Sequence, residues 1–212
     1  MIVAHGQGLL PQAVKQARGD SFVVKTNIHY PTDTSLIWDG VRCILRIAPQ
    51  LATLLVASGW RQHRHLRDKI KRQVRRAEKA AASKSRNREA NMVQAFRTLF
   101  ASAHMIVGRA RLLLNQADRA LGDVITSLQA VALTFELDDY VTMTEQVLDV
   151  AKRRILDKER VPKDEKLFSL FEPHTELMNR GKRPNPNEFG HLVFVLEDGA
   201  GFVSYYKVME PG

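Results

Sequence analysis

The sequence predicts an α+β protein that is mostly helical, with one strand early, a long helical block, and a β-hairpin late. Three observations carry this. "SFVVKT" (21–26) is a short run of β-branched and aromatic residues. From about residue 35 to 158, apolar residues recur every three or four positions. "HLVFVLEDGAGFVSYYKV" places two apolar runs around Glu197, Asp198, Gly199, Ala200 and Gly201, which is hairpin grammar. A single strand is not stable by itself. The simplest arrangement pairs the first strand with the C-terminal hairpin, and the helical block becomes an insertion between neighbouring strands of one sheet.

Segment 1–34 holds the first strand and its turn. Gly6, Gly8 and Pro11 break any earlier element, and "QAVKQAR" (12–18) is compatible with a short helix. Asp20 stands at the mouth of the strand. Pro31 forces Tyr30 away from the helical region, and Asp33 or Thr34 then suits an N-cap. Segment 35–160 is the helical insertion. Leu36, Ile37, Val41, Ile44 and Leu45 open it, and "APQLATLLVAS" carries the first helix towards a stop at Gly59. Leu66, Ile70, Val74, Ala77 and Ala81 then draw a thin apolar stripe on a strongly basic helix. Met92, Phe96, Leu99, Ile106 and Leu113 mark another, pausing near Gly122. "DVITSLQAVALTF" and "LDDYVTMTEQVLDVAKRRILD" read as two more. A long antiparallel pair or bundle is the natural way to bury these stripes. Segment 161–212 comprises a linker, the loop "NRGKRPNPNE" and the hairpin.

Charge is distributed unevenly. The net charge is +9 over 212 residues. Between Arg61 and Arg88, twelve Lys or Arg face two acids, Asp68 and Glu78, so this stretch carries +10 and the rest −1. A local stripe of this kind is the footprint of a polyanion, nucleic acid above all. Arg61, Arg64, Arg72, Arg75, Arg76 and Lys79 are the candidates for tracking a phosphate backbone; the plainer alternative is a solvated helix face. No base-reading pattern is visible, so such binding is expected to tolerate any sequence. The single cysteine, Cys43, excludes an internal disulfide framework and a multi-cysteine zinc site, and reads as a buried thiol. No apolar run is long enough to span a bilayer and the first residues lack signal-peptide grammar, so the expectation is a cytoplasmic protein without a membrane or small-molecule partner.

Other candidate residues are weaker by type and spacing. Asp20 suits magnesium chemistry as a hard oxygen ligand, or serves a turn. In "NIHYPTD", His29 suits phosphate contact or a structural role, and Asp33 a helix cap. Glu172, His174, Glu176 and His191 have metal-ligand character without a zinc spacing. Lys182 and Arg183 lie in a Gly-containing loop suited to phosphate. No Ser-His-Asp set and no Gly-rich phosphate loop stand out.

"DSFVVKTNIHYPTDTSLIWDGVR" (20–42) closely resembles the first conserved block of bacterial insertion-sequence transposases of the acidic-triad (DDE) type. "KLFSLFEPHTELMNRGKRPNPNEFGHLVFVLEDGAGFVSYYKVME" resembles the block that follows the helical insertion in that family. Together the blocks cover about 70 of the 212 residues, in the family's order. The resemblance implies a partial ribonuclease-H-like sheet, first strand plus hairpin, with a large helical insertion. It implies an enzyme that cuts and joins DNA at element ends, using Mg2+ or Mn2+ held by three acids. Asp20 would be the first acid and a metal ligand. Asn27, His29, Thr32 and Asp33, with Pro31, would support the site, and Lys182, Gly190 and His191 match the lead into the second strand.

The family's second acid follows the hairpin and its glutamate lies on a later helix; Glu197, Asp198 and Glu210 match neither. The resemblance therefore implies an N- and C-terminally incomplete fragment, inactive by itself, whose partners are transposon-end DNA, further copies of the chain or an intact transposase. The alternative is a non-enzymatic helical protein that binds nucleic acid or pairs with a transposase.

Overall fold

The computed structural model describes residues 16–123, 128–179, 181 and 186–209. Among them the chain is α+β, with four helices and a four-stranded antiparallel sheet. It divides into two compact units: 30–171, which is helical, and 1–29 with 172–212, which holds the sheet.

In the helical unit, α1 (Asp33–Leu54) begins at Thr32, one residue before the expected cap. Thr32 is extended, its Oγ1 accepts from the Ser35 N–H at 3.1 Å, and its own N–H donates to Ser35 Oγ at 2.9 Å. This reciprocal box satisfies two backbone donors that the first turn would otherwise leave unpaired. The helix continues through Pro49 but ends at Leu54, short of Gly59. The Val56 N–H donates to the Thr53 carbonyl and the Ala57 N–H to the Ala52 carbonyl. That pattern is a Schellman ending, and it places Val56 at a φ of 52°, a region that β-branched side chains disfavour.

Helix α2 (His63–Ala82) buries Leu66, Ile70, Gln73, Val74 and Ala77 and turns its cations outward. Ser83 and the polar stretch after it separate α2 from α3 (Arg88–Asp123), where serine and asparagine offer the backbone alternatives to helix. Gly108 does not interrupt α3, in a helix long and apolar enough to absorb it. Helix α4 (Leu128–Ile155) is one element where the sequence reads as two. Glu136, Leu137 and Asp138 at the junction are compatible with helix, and Leu137 is fully buried.

Helix α1 packs against the other three. Ile37, Val41, Ile44, Ile47 and Leu51 from α1 meet Ile70, Leu99, Ile106, Leu137 and Leu148 in one continuous core. Gly40 sets the α1–α4 approach, since a Cβ there would meet Thr144 Oγ1 at 2.1 Å. Arg111 on α3 ties α4 by donating to Asp138, Thr142 and Glu145.

In the sheet unit, β1 (Ala17–Lys25) pairs antiparallel with β3 (Asn187–Asp198), from Ala17 opposite Asp198 to Lys25 opposite Gly190. The expected pairing of first strand with hairpin is therefore present, and the strand is longer than five residues. Ala17 and Arg18, read as the end of a helix, belong to β1, because their partners across the ladder are Asp198 and Glu197; residues 12–15 lie outside the described residues. On the far side of β3 lie β2 (Glu176–Asn179) at one end and β4 (Val203–Val208) at the other. The Asp198 carboxylate shapes the hairpin turn by accepting from the Ala200 and Phe202 N–H groups, and Gly201 supplies a φ of 86°. Gly190 lets β1 approach, since a Cβ there would fall 2.1 Å from the Val24 carbonyl oxygen.

Candidate nucleic-acid interface

The cations of α2 are presented by the stripe that anchors it. With Leu66, Ile70, Val74 and Ala77 in the core, a period of about 3.6 residues turns Arg64, Arg72, Arg75 and Lys79 to the opposite face. Arg76 stands at the flank of this face and Arg61 just before the helix; all six are exposed. From Arg64 to Lys79 the stripe runs roughly 22 Å, at about 1.5 Å of rise per residue. None of the six has an ion-pair partner among the described residues. Arg67, Lys69 and Lys71 are exposed on the same helix and add to its field. They were legible in the charge count, though their places on the helix flanks were not. Lys182 lies outside the described residues.

Asp20 stands in the middle of β1, exposed, opposite Val195. Its Oδ1 accepts from the Ser21 N–H at 2.7 Å. Side chains alternate along a strand and match across a ladder, so Asp20 shares a sheet face with Phe22, Val24, Tyr206 and Val208, all exposed. Asn27 and His29 lie past the end of the strand. Seven residues at about 3.3 Å each separate Asn27 from Asp20 by on the order of 20 Å, so the fold does not bring them beside that carboxylate. Thr32 and Asp33 belong to the helical unit, where Thr32 caps α1 and Asp33 receives Arg154 Nη1 at 2.8 Å. Burial pushes the Asp33 carboxyl above the usual range, and Arg154 pulls it part of the way back.

The acids and histidines of the second block do come together in part. His191 Nδ1 lies 3.3 Å from Glu176 Oε1, and the His174 and His191 rings stack at 5.1 Å. His174 also lies 3.3 Å from Glu172. Even so, no group of three His, Cys, Asp or Glu among the described residues is arranged to hold a metal ion. Magnesium is usually held by one or two carboxylates with waters and phosphate oxygens filling its shell, so Asp20 supplies one such ligand. Cys43 is buried, and burial raises its thiol pKa, which keeps it protonated and inert.

No helix among the described residues is long and apolar enough to cross a membrane. No protein-family model, no curated protein and no solved structure matches the chain.

Proposed function

We propose that the chain is a DNA-binding polypeptide related to insertion-sequence transposases of the acidic-triad type. Helix α2 would hold the phosphate backbone, and β1 would carry Asp20 as one acid of a triad whose other members are not gathered around it among the described residues. The observation that carries the DNA-binding part is the cationic face of α2, with Arg64, Arg72, Arg75 and Lys79 exposed on one side of a helix whose other side is locked in the core. The lineage is supported by the sheet. Strands from the two transposase-like blocks pair along the whole of β1, with the helical unit between them in sequence, as a ribonuclease-H-like core with an insertion after its first strand requires.

Magnesium or manganese belongs to this reading only if further acids join Asp20. The purified chain should therefore bind duplex DNA without sequence preference, yet leave a supercoiled plasmid intact with either metal. Metal-dependent nicking that disappears in Asp20→Asn would show that the site is complete after all. Failure to bind DNA at low salt would remove the reading altogether.

The lack of a three-ligand cluster among the described residues favours a second reading, a non-enzymatic nucleic-acid-binding or transposase-interacting protein. Under it Asp20→Asn is silent in every assay. Under the first, Asp20→Asn abolishes cleavage in any mixture where a second chain supplies the missing acids.

A further inference from the structure

A cleft of about 600 Å³ opens between α1 and α2. Five cations line it, Arg42, Arg46, Arg64, Arg67 and Lys71, against one carboxylate, Asp68. The two cations from α1 are held by acids outside the lining. Arg42 Nε donates to Asp39 at 2.9 Å and its guanidinium lies over the Phe171 ring. Arg46 Nη2 donates to Glu136 at 2.7 Å. Those contacts offset their charges and fix their positions.

The α2 side differs. Arg64 and Lys71 have no ion-pair partner among the described residues, and Arg67 has Asp68 at 3.7 Å, a pair exposed enough to be worth little. Three cations against one carboxylate leave this side with an excess of two positive charges. The cleft also has an aromatic wall. Trp38 is half-buried there, with Lys71 Nζ 5.9 Å from its ring centroid. His63 adds a polar edge. Its Nδ1 lies 2.9 Å from the Trp60 carbonyl oxygen, which can only accept, so Nδ1 carries a proton and Nε2 is left for another partner.

We propose that this cleft binds a nucleotide, with its phosphate held by Arg64, Arg67 and Lys71 and its base against Trp38. The volume lies within the range of ligand pockets, roughly 300–1,000 Å³. The combination is selective: a bare inorganic anion has no use for Trp38, and an uncharged aromatic has no use for three cations. Base stacking on an aromatic ring beside cations is how proteins hold the nucleotides of a single strand without regard to sequence. The inference needs no triad acid; of its cations Arg64 alone also belongs to the outer face of α2, so Arg67 and Lys71 carry it apart from duplex binding. A free nucleotide and the phosphorylated end of a strand present the same chemistry, and the test separates them.

Trp38 and Trp60 are the two tryptophans of the chain, and Trp60 is buried under Arg109, so Trp38 is the natural reporter. The full chain is titrated with thymidine 5′-monophosphate, a 5′-phosphorylated oligothymidylate, the same oligomer without its phosphate, and inorganic phosphate. Quenching by the mononucleotide assigns the cleft to free nucleotides; quenching by the phosphorylated oligomer only assigns it to strand ends. In either case Trp38→Phe should remove the signal. Arg67→Ala/Lys71→Ala should weaken affinity by about a hundredfold or more, as expected for two charge-assisted contacts, with the helical circular dichroism unchanged.

The proposal is overturned if no probe quenches, if inorganic phosphate binds as well as the nucleotide, or if the unphosphorylated oligomer binds as well as the phosphorylated one. It is also overturned if Arg72→Ala/Arg75→Ala, on the outer face, weakens nucleotide binding as much as the cleft variant does. Loss of duplex binding with nucleotide binding intact would sink the proposed function and leave this inference standing.

Discussion

The two units of the molecule are built on opposite terms. The helical unit buries a continuous core drawn from all four helices, with Ile37, Ile44, Leu99 and Leu137 fully enclosed. In the sheet unit no apolar side chain among the described residues is buried; Phe22, Val24, Tyr205, Tyr206 and Val208 stand exposed. Its strands are held by the backbone ladder and by cross-strand contacts, each worth a fraction of a kcal/mol. The helical unit has the means to be stable by itself. Among the described residues the sheet leaves apolar side chains exposed on both faces, Phe22 and Tyr206 on one and Tyr205 on the other, which is the condition of a sheet that gains from cover by other chain material.

Matched truncations test this contrast most severely. Leu137→Ala should cost about 3 kcal/mol, by lost burial plus the cavity it leaves, read as a lower urea midpoint of the helical signal. Val208→Ala should change stability by less than about 0.5 kcal/mol, because an exposed side chain has little burial to lose. Equal costs would refute the contrast. Gly190→Ala should act on the sheet by another route, since its Cβ would meet β1 backbone that has no room to yield. Roughly 2 kcal/mol of local pairing should be lost. Amide exchange from Asp20 to Lys25 should speed up while the helical unit's midpoint stays in place.

A smaller effect in the helical unit has the opposite sign. Val56→Gly should raise its stability by about 1 kcal/mol, because glycine accepts the left-handed φ that valine resists. The smallest effect concerns acid. Burial lets the folded chain hold the Asp33 proton more tightly than the unfolded chain does. The stabilising share of this group is therefore full below the unfolded pKa of about 3.9 and is lost as pH rises through the higher folded value. Asp33→Asn should remove that fall from the pH–stability curve, and an unchanged curve would count against the burial effect.

Much of the helical unit was legible in the sequence, because burial with a helical period leaves a direct trace: Leu66, Ile70, Val74 and Ala77 are all in the core. The pairing of the first strand with the hairpin was legible for a different reason, since a lone strand needs a partner. Local grammar misled where pairing or packing decides. Ala17 and Arg18 lack strand character and are strand only because β3 lies beside them. The junction at Glu136–Asp138 looks polar enough to end a helix, yet Leu137 anchors it in the core. Gly40 gave no sign of the helix contact it permits.

The candidate site divides in the same way. The cationic face of α2 follows from charge and period together, which one short segment contains. The α1–α2 cleft joins Trp38 to Arg67 and Lys71 across two helices, and no single window of sequence holds both walls. Thr32 and Asp33 look like site residues beside a histidine and a proline, but their hydrogen bonds go to the start of α1 and to Arg154.

The most direct test of the central claim is the salt dependence of duplex DNA binding, measured for the wild type and for Arg72→Ala/Arg75→Ala/Arg76→Ala. Each phosphate contact contributes about 0.9 to the slope of log affinity against log salt. If the outer face of α2 holds the backbone, the triple variant should bind more weakly at every salt concentration, with a slope shallower by about 2 to 3. An unchanged slope in a variant that keeps its helical content would place DNA elsewhere on the molecule, or nowhere.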